Sequence, residues 1–193
     1  MGIRLEALEI LSDLLNRFGS LLVSFHANIQ DALIPQLLCQ RLAVRKRAIT
    51  ALSYLTMSCS QQLYTRVIEY LIEELTTYAN SKDINSAKTY IQCITAISRQ
   101  SGHRFGEHLE RVMPLISKFA SIEMKDKKPE EVDELKEVCL QACESFVRRC
   151  PKEISSHVPT VRLDFFSVIL YNLHNFCCNL YSDNKHLSQI LEL

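Results

Sequence analysis

The sequence contains little glycine or proline and no tryptophan. Its 193 residues include four glycines and five prolines. Loops that hold phosphates or dinucleotides need several closely spaced glycines, so a loop of this kind is not expected in this chain. The Gly-x-Gly-x-x-Gly, P-loop, Gly-x-Ser-x-Gly and His-Glu-x-x-His patterns are all absent. We therefore predict no catalytic and no cofactor-binding residues, and we interpret the chain as non-enzymatic.

The chain also lacks a net charge, because 22 lysines and arginines balance 22 aspartates and glutamates. A protein built around a polyanion usually has a basic excess, so we do not expect nucleic acid to be a direct partner. No apolar run approaches the roughly 18 to 20 residues that cross a bilayer, so no membrane partner is expected. Glu6, Glu9 and Asp13 lie among the first leucines, which is unlike the uncharged core of a signal peptide.

No export signal accompanies the eight cysteines, and their spacing is irregular, so free thiols are favoured over a disulfide framework. Cys139 and Cys143 share a helix face, but no second Cys or His pair nearby has the spacing of a zinc site. His103 and His108 flank Gly106 without an evident acid or nucleophile beside them. We therefore predict no metal site and no catalytic histidine.

Apolar residues recur at spacings of three and four and do not alternate strictly, which predicts an all-α protein. Four segments align on a basic anchor residue, at intervals of 41, 43 and 48 residues. Small or medium apolar residues stand three and six positions after each anchor, which predicts a helix face that packs closely on a neighbour. The anchors are Arg4, Arg45, Lys88 and Lys136, and the apolar pairs are Ala7 and Ile10, Ala48 and Ala51, Ile91 and Ile94, and Cys139 and Ala142.

Helices of a second type are predicted between these segments, at residues 26–38, 62–78 and 106–120. Pro35 and Pro114 predict a bend in two of them. Two helices in a period of roughly 40 to 47 residues are typical of HEAT repeats. We predict a HEAT-repeat α-solenoid, a right-handed superhelix of antiparallel helix pairs.

The repeats are predicted to occupy residues 1–160, as about four units of which the first is incomplete. Residues 123–134, with six acidic and three basic side chains, are predicted to form a solvated acidic loop. Residues 161–193 are rich in aromatic side chains and lack a basic anchor. We predict that this C-terminal segment diverges from the repeat and is helical or poorly packed.

Basic residues cluster in residues 41–52, where Arg45, Lys46 and Arg47 open a predicted helix. Several interpretations stay open: an anchor that bridges adjacent repeats through acidic neighbours, a nuclear signal, a phosphate contact, or a contact to a protein partner. The candidate partner-binding residues are Arg45, Lys46, Arg47, Arg104, Arg148 and Arg149.

Long runs of the sequence resemble one known family. These runs are IRLEALEIL (3–11), LAVRKRAITAL (42–52), TYIQCITAISRQSGHRFGEHLE (89–110) and ESFVRRCPKEISSHVPT (144–160). They are similar to the cullin-associated, neddylation-dissociated (CAND) family, within the N-terminal half of its HEAT array. The resemblance covers about residues 1–160, and the acidic insert and the later segment depart from it.

The resemblance implies a scaffold that binds an unmodified cullin with its RING subunit and promotes exchange of substrate receptors, so that it regulates assembly of cullin–RING (SCF) ubiquitin ligases. It also implies a nuclear and cytoplasmic location and a possible TATA-binding-protein partner. The alternatives are other HEAT-repeat binding proteins, such as a nuclear transport receptor or a transcription-associated scaffold. A transport receptor predicts an acidic concave surface, which the neutral charge does not favour.

Overall fold

The structure is a computed structural model, and it describes residues 2–81, 83–122 and 127–157. These residues are almost entirely helical and include no β-strand. The α-helices are α1 (Ile3–Phe18), α2 (His26–Leu33), α3 (Leu42–Ser58), α4 (Gln61–Ser81), α5 (Ile84–Phe105), α6 (Leu109–Ala120) and α7 (Pro129–Arg149). Short 3₁₀ segments at Gly19–Leu21, Val23–Phe25, Ile34–Leu38, Gly106–His108 and Glu153–His157 lie between or after them.

The helices form two layers. Helices α1, α3, α5 and α7 lie side by side in chain order, and the contacts between successive members of this layer are the most extensive in the described residues. Helix α2 with Ile34–Leu38 packs on α3, α4 packs on α5, and α6 packs on α7, which makes the second layer. Each helix pair thus contacts mainly its neighbours, and the predicted all-α solenoid of HEAT type is confirmed. The 161–193 segment lies outside the described residues.

The small-residue face predicted from the repeat is buried in the internal helices. Ala48 and Ala51 of α3 and Ile91 and Ile94 of α5 have no exposed surface, and Cys139 and Ala142 of α7 are equally buried. In α1, however, Ala7 and Ile10 are exposed, because α3 covers only the face of α1 that carries Leu8, Ser12 and Leu15.

Two prolines lie at helix boundaries, and acidic residues lie at the start of α7. Helix α2 stops at Leu33, and Pro35 lies in the following 3₁₀ segment, whereas Pro114 lies inside α6. The prediction of an acidic loop through residue 134 is wrong, because α7 begins at Pro129. Proline suits the first turn of a helix, and acidic side chains there face the positive end of the helix dipole. Residues 123–126 lie outside the described residues.

Helices α5 and α7 approach each other closely near their C-terminal ends. The backbone of α5 departs from helical geometry at Ser101, so the helix is interrupted there, although it continues to Phe105. A Cβ atom added at Gly102 would lie 2.6 Å from both Cβ and the carbonyl oxygen of Arg149. The Cys150 thiol donates to the Gly102 carbonyl oxygen over 3.2 Å. Gly102 therefore permits a contact between two backbones rather than ending the helix.

His108 lies buried where α4 and α6 meet. Its ring lies near the rings of Tyr64 and Phe105, and its Nε2 atom has no hydrogen-bond partner within the described residues. Burial lowers the pKa of His108. The charges of Glu107 and Glu69 oppose this shift, while that of Arg111 adds to it. Burial therefore favours the neutral form of the ring.

The cysteines of the described residues are free thiols, as the sequence predicts, and five of the six are buried. Burial raises the pKa of Cys93 and of Cys143 to about 12 and also raises that of Cys139. Thiols in this state behave as small apolar side chains. Cys177 and Cys178 lie outside the described residues.

Candidate protein-binding groove

A shallow groove of about 440 Å³ crosses the N-terminal halves of α3, α5 and α7, and we call it the N-edge groove. Its lining mixes basic, acidic and amide side chains with few apolar ones. The lining residues are Leu42, Arg45, Lys46, Asn85, Lys88, Thr89, Gln92, Glu134, Glu137, Val138 and Gln141. A wide polar groove of this kind suits a protein surface better than a small apolar ligand.

An ion pair between α5 and α7 forms part of the groove wall. Lys88 Nζ lies 2.6 Å from Glu134 Oε2, and the Lys88 side chain is largely buried while Glu134 is exposed. The hydrogen bond from Lys88 and its positive charge lower the pKa of Glu134. The pair bridges adjacent repeats, which is the role that the sequence predicts for the basic anchors. It also neutralises the centre of the groove.

Arg45 has a different role from the one predicted for an anchor. Its guanidinium donates to the carbonyl oxygens of Cys39 at 2.8 Å and Gln40 at 3.1 Å, within its own repeat. The interpretation that Arg45 bridges to acidic residues of a neighbouring repeat is therefore wrong. Arg47 forms such a bridge instead, because it donates to Glu9 of α1 over 2.8 Å.

Lys46 stands between these two arginines and is exposed. Its side chain has no hydrogen-bond or ion-pair partner among the described residues. A cation in the first turns of a helix faces the positive end of the helix dipole, which is mildly unfavourable. Arg45 and Arg47 therefore make contacts that stabilise the fold, whereas the described residues show no stabilising contact of the Lys46 side chain.

Arg104 lies at the opposite edge of the stack, where α5 ends. It donates to the carbonyl oxygens of Thr56, Cys59 and Ser60, at 2.9, 3.2 and 3.3 Å, and its Nε and one terminal nitrogen both donate to the Gln61 side chain. Its guanidinium carbon also lies 4.0 Å from the centre of the Tyr64 ring. Arg104 thus joins α5 to the end of α3 and to the start of α4.

Arg148 and Arg149 lie in the last turn of α7, where cations are favoured by the helix dipole. Arg148 pairs with Glu144 one turn earlier, at 2.8 Å, and both side chains are well exposed. Arg149 is exposed beside Gly102.

The structure therefore separates the six predicted partner-binding residues into two groups. Arg45, Lys46 and Arg47 lie at the N-terminal edge of the layer formed by α1, α3, α5 and α7. Arg104, Arg148 and Arg149 lie at the C-terminal edge of this layer. A helix of the length of α3 separates these edges by about 25 Å. Only Arg45 and Lys46 line the N-edge groove.

Most residues that line the groove are not among the partner-binding residues predicted from the sequence. Asn85, Gln92 and Gln141 supply its amides, and Glu137 supplies an acid that hydrogen-bonds only to Gln141 within the described residues, over 3.2 Å. The available signal was the repeat register, because residues near the anchors of adjacent helices in the α1, α3, α5 and α7 layer come together in a solenoid.

Among the described residues no three His, Cys, Asp or Glu side chains come close enough to hold a metal ion. None of the described helices is long and apolar enough to span a bilayer.

No protein-family model matches the chain, but curated proteins do. It is 44% identical over 161 residues to cullin-associated NEDD8-dissociated protein 2 of Rattus norvegicus and 45% identical over 161 residues to cullin-associated NEDD8-dissociated protein 1 of Drosophila melanogaster. Each match covers 83% of the chain. The Arabidopsis thaliana protein 1 is 32% identical over 185 residues, or 96% of the chain.

The chain belongs to the family of cullin-associated NEDD8-dissociated proteins. It spans only 12% to 14% of the length of these relatives. The Arabidopsis match necessarily includes part of residues 161–193, because it leaves only 4% of the chain uncovered.

Proposed function

We propose that this chain is a non-enzymatic scaffold that binds a cullin together with its RING subunit. The observation that carries the proposal is the match to proteins named for cullin association, at 44% and 45% identity over most of the chain. A solenoid supports it physically, because stacked helix pairs display a broad surface built from several repeats.

The proposal extends to regulation. The chain takes part in assembly of cullin–RING ubiquitin ligases of the SCF type, where it favours exchange of substrate receptors. It acts in the nucleus and cytoplasm. Since the chain spans about an eighth of its relatives' length, it offers a fraction of their surface, and we expect binding in the micromolar range rather than tighter.

The test uses the full chain and an immobilised, unmodified cullin–RING pair, with equilibrium binding measured by biolayer interferometry. We expect saturable binding to the unmodified pair and at least fivefold weaker binding after the ubiquitin-like modifier is attached to the cullin. Duplex DNA, the GTPase Ran and the TATA-binding protein serve as comparison ligands at the same concentrations.

Two results would contradict the proposal. One is no binding to either form of the cullin–RING pair at concentrations up to about 100 μM, which corresponds to less than about 5.5 kcal/mol of binding free energy. The other is binding to DNA alone with a steep dependence on salt, which would indicate a phosphate-binding protein instead.

A further inference from the structure

The N-edge groove has an ordered distribution of charge. At its α3 end lie Arg45 and Lys46, at its centre the Lys88–Glu134 pair, and at its α7 end Glu137. The central pair cancels within itself. The groove is therefore basic at one end and acidic at the other, although the whole chain carries no net charge.

Ion pairs within the described residues do not neutralise the charges at the two ends of the groove. Arg45 hydrogen-bonds to neutral carbonyl oxygens, so its positive charge is not neutralised by an acid, and Lys46 is exposed without a side-chain partner among the described residues. Glu137 meets only the neutral amide of Gln141 there. These end charges remain available to groups of opposite sign on another molecule.

The groove supplies hydrogen-bonding groups of both kinds. Asn85 and Gln92 at its centre and Gln141 on α7 carry side-chain amides, which have N–H donors and an acceptor oxygen, and one Gln141 donor is used by Glu137. A helix has already paired its backbone N–H and C=O groups, whereas an extended segment presents them unpaired. Amide side chains therefore match an extended segment better than a docked helix.

The spacing of the helices sets the length of such a segment. Neighbouring packed helices lie about 8 to 10 Å apart, so α3 and α7 are separated by roughly 16 to 20 Å across α5. An extended chain advances about 3.3 Å per residue, and this distance therefore takes about five or six residues.

We propose that the N-edge groove binds an extended segment of a protein partner, with an acidic side chain over Arg45 and Lys46 and a basic side chain over Glu137, about five residues away. The identification of that partner as the cullin–RING pair rests on the proposed function. The charge order and spacing rest on the groove alone.

The first experiment measures binding of charge-reversed variants to the unmodified cullin–RING pair. Lys46→Glu and Glu137→Lys each replace an attraction by a repulsion, and each is expected to weaken binding about fivefold or more. Lys46→Arg should retain binding. Glu110→Lys, an exposed change on α6 outside the groove, is the matched control and should leave the affinity unchanged. If both reversals bind as tightly as the unchanged chain, the inference is wrong while the proposed function stands.

The second experiment does not need the cullin. Two peptides of equal composition are titrated into ¹⁵N-labelled chain, one with Asp and Lys five residues apart in a Ser/Ala background and one with Asp next to Lys. We expect the spaced peptide to shift the amide resonances around Lys46, Gln92 and Glu137 at least threefold more than the adjacent one. Equal shifts from the two peptides, or none near these residues, would overturn the inference.

The extended conformation has its own test. Gln92→Leu keeps the side-chain volume but removes the amide, and it is expected to reduce the shifts by half or more. An unchanged response would show that side-chain charge alone directs binding and would refute the proposed backbone recognition. Binding of the spaced peptide together with failure of the cullin–RING pair would reject the proposed function and keep the groove assignment.

Discussion

Replacing Arg104 with alanine should destabilise the fold far more than removing another arginine from the same edge. The guanidinium of Arg104 contacts three carbonyl oxygens at the end of α3, the Gln61 side chain and the Tyr64 ring. The residues that carry two of those carbonyls, Thr56 and Cys59, are themselves buried. No other single side chain in the described residues donates to so many groups of the preceding repeat.

The size of the stability loss follows from the carbonyl groups and the Tyr64 ring that lose their contacts with Arg104. Each of the two partly buried carbonyls that loses its donor costs about 1 kcal/mol, the lower end of the usual range because water can reach this edge. Loss of the cation–π contact with Tyr64 adds about 0.5 to 1 kcal/mol. Arg104→Ala should therefore lower the free energy of unfolding by about 2.5 to 3 kcal/mol. Arg104→Lys keeps the charge but not the planar fork of donors, and we expect about half of that loss.

The assay is urea unfolding of the full chain, followed by circular dichroism at 222 nm. Arg148→Ala is the control, because its exposed pair with Glu144 is worth about 0.3 to 0.5 kcal/mol. In a chain of this size, the Arg104→Ala loss corresponds to a fall in melting temperature of roughly 5 to 10 °C. A loss below about 0.5 kcal/mol, equal to that of the control, would refute the argument that Arg104 joins two repeats.

Three further predictions concern packing, protonation and thiol reactivity. Gly102→Ala should lower stability by about 1 to 3 kcal/mol in thermal melts, because its Cβ would meet another helix backbone, whereas Gly2→Ala meets only a flexible side chain and should be silent. The pKa of His108 is lower in the folded state, so its contribution to stability is complete above the unfolded pKa of about 6.5 and is lost as the pH falls below that value. Between pH 5 and 7 the free energy of unfolding should therefore change less with pH in His108→Gln than in the unchanged chain. Native Cys93 should react with iodoacetamide much more slowly than partly buried Cys39, and equal rates measured by mass spectrometry would contradict the burial of Cys93.

The fold could be predicted from the sequence because the same physical requirement recurs in every unit. Helices α3 and α5 each need small or medium apolar residues where they meet two neighbours of the same layer, and Ala48, Ala51, Ile91 and Ile94 are fully buried for that reason. The start of α7 could not be placed in the same way. Residues 129–134 are acidic and polar, as loops are, yet proline and glutamate are also favoured in the first turn of a helix. Composition alone does not distinguish these cases.

The candidate site could be predicted from the sequence less well than the fold. Arginines that contact a partner and arginines that contact backbone carbonyls have the same composition and lie at the same helix ends. Arg104 and Arg45 both belong to the second kind, and only the three-dimensional positions of Thr56, Cys59 and Cys39 show it. Lys46 is left as the candidate for a partner contact in its cluster, because Arg45 and Arg47 both have contacts within the fold.

The two edges of the stack therefore have different physical roles. At the C-terminal edge, Arg104 and the Gly102 contact hold α3, α5 and α7 together through backbone groups, which neither salt nor a charged ligand displaces easily. At the N-terminal edge the helices are linked by two ion pairs. Arg47–Glu9 joins two exposed side chains and is individually weak, whereas Lys88–Glu134 joins a largely buried lysine to an exposed glutamate. Loss of Arg104 should therefore lower stability, whereas charge changes at Lys46 and Glu137 of the N-edge groove should alter binding with little effect on stability.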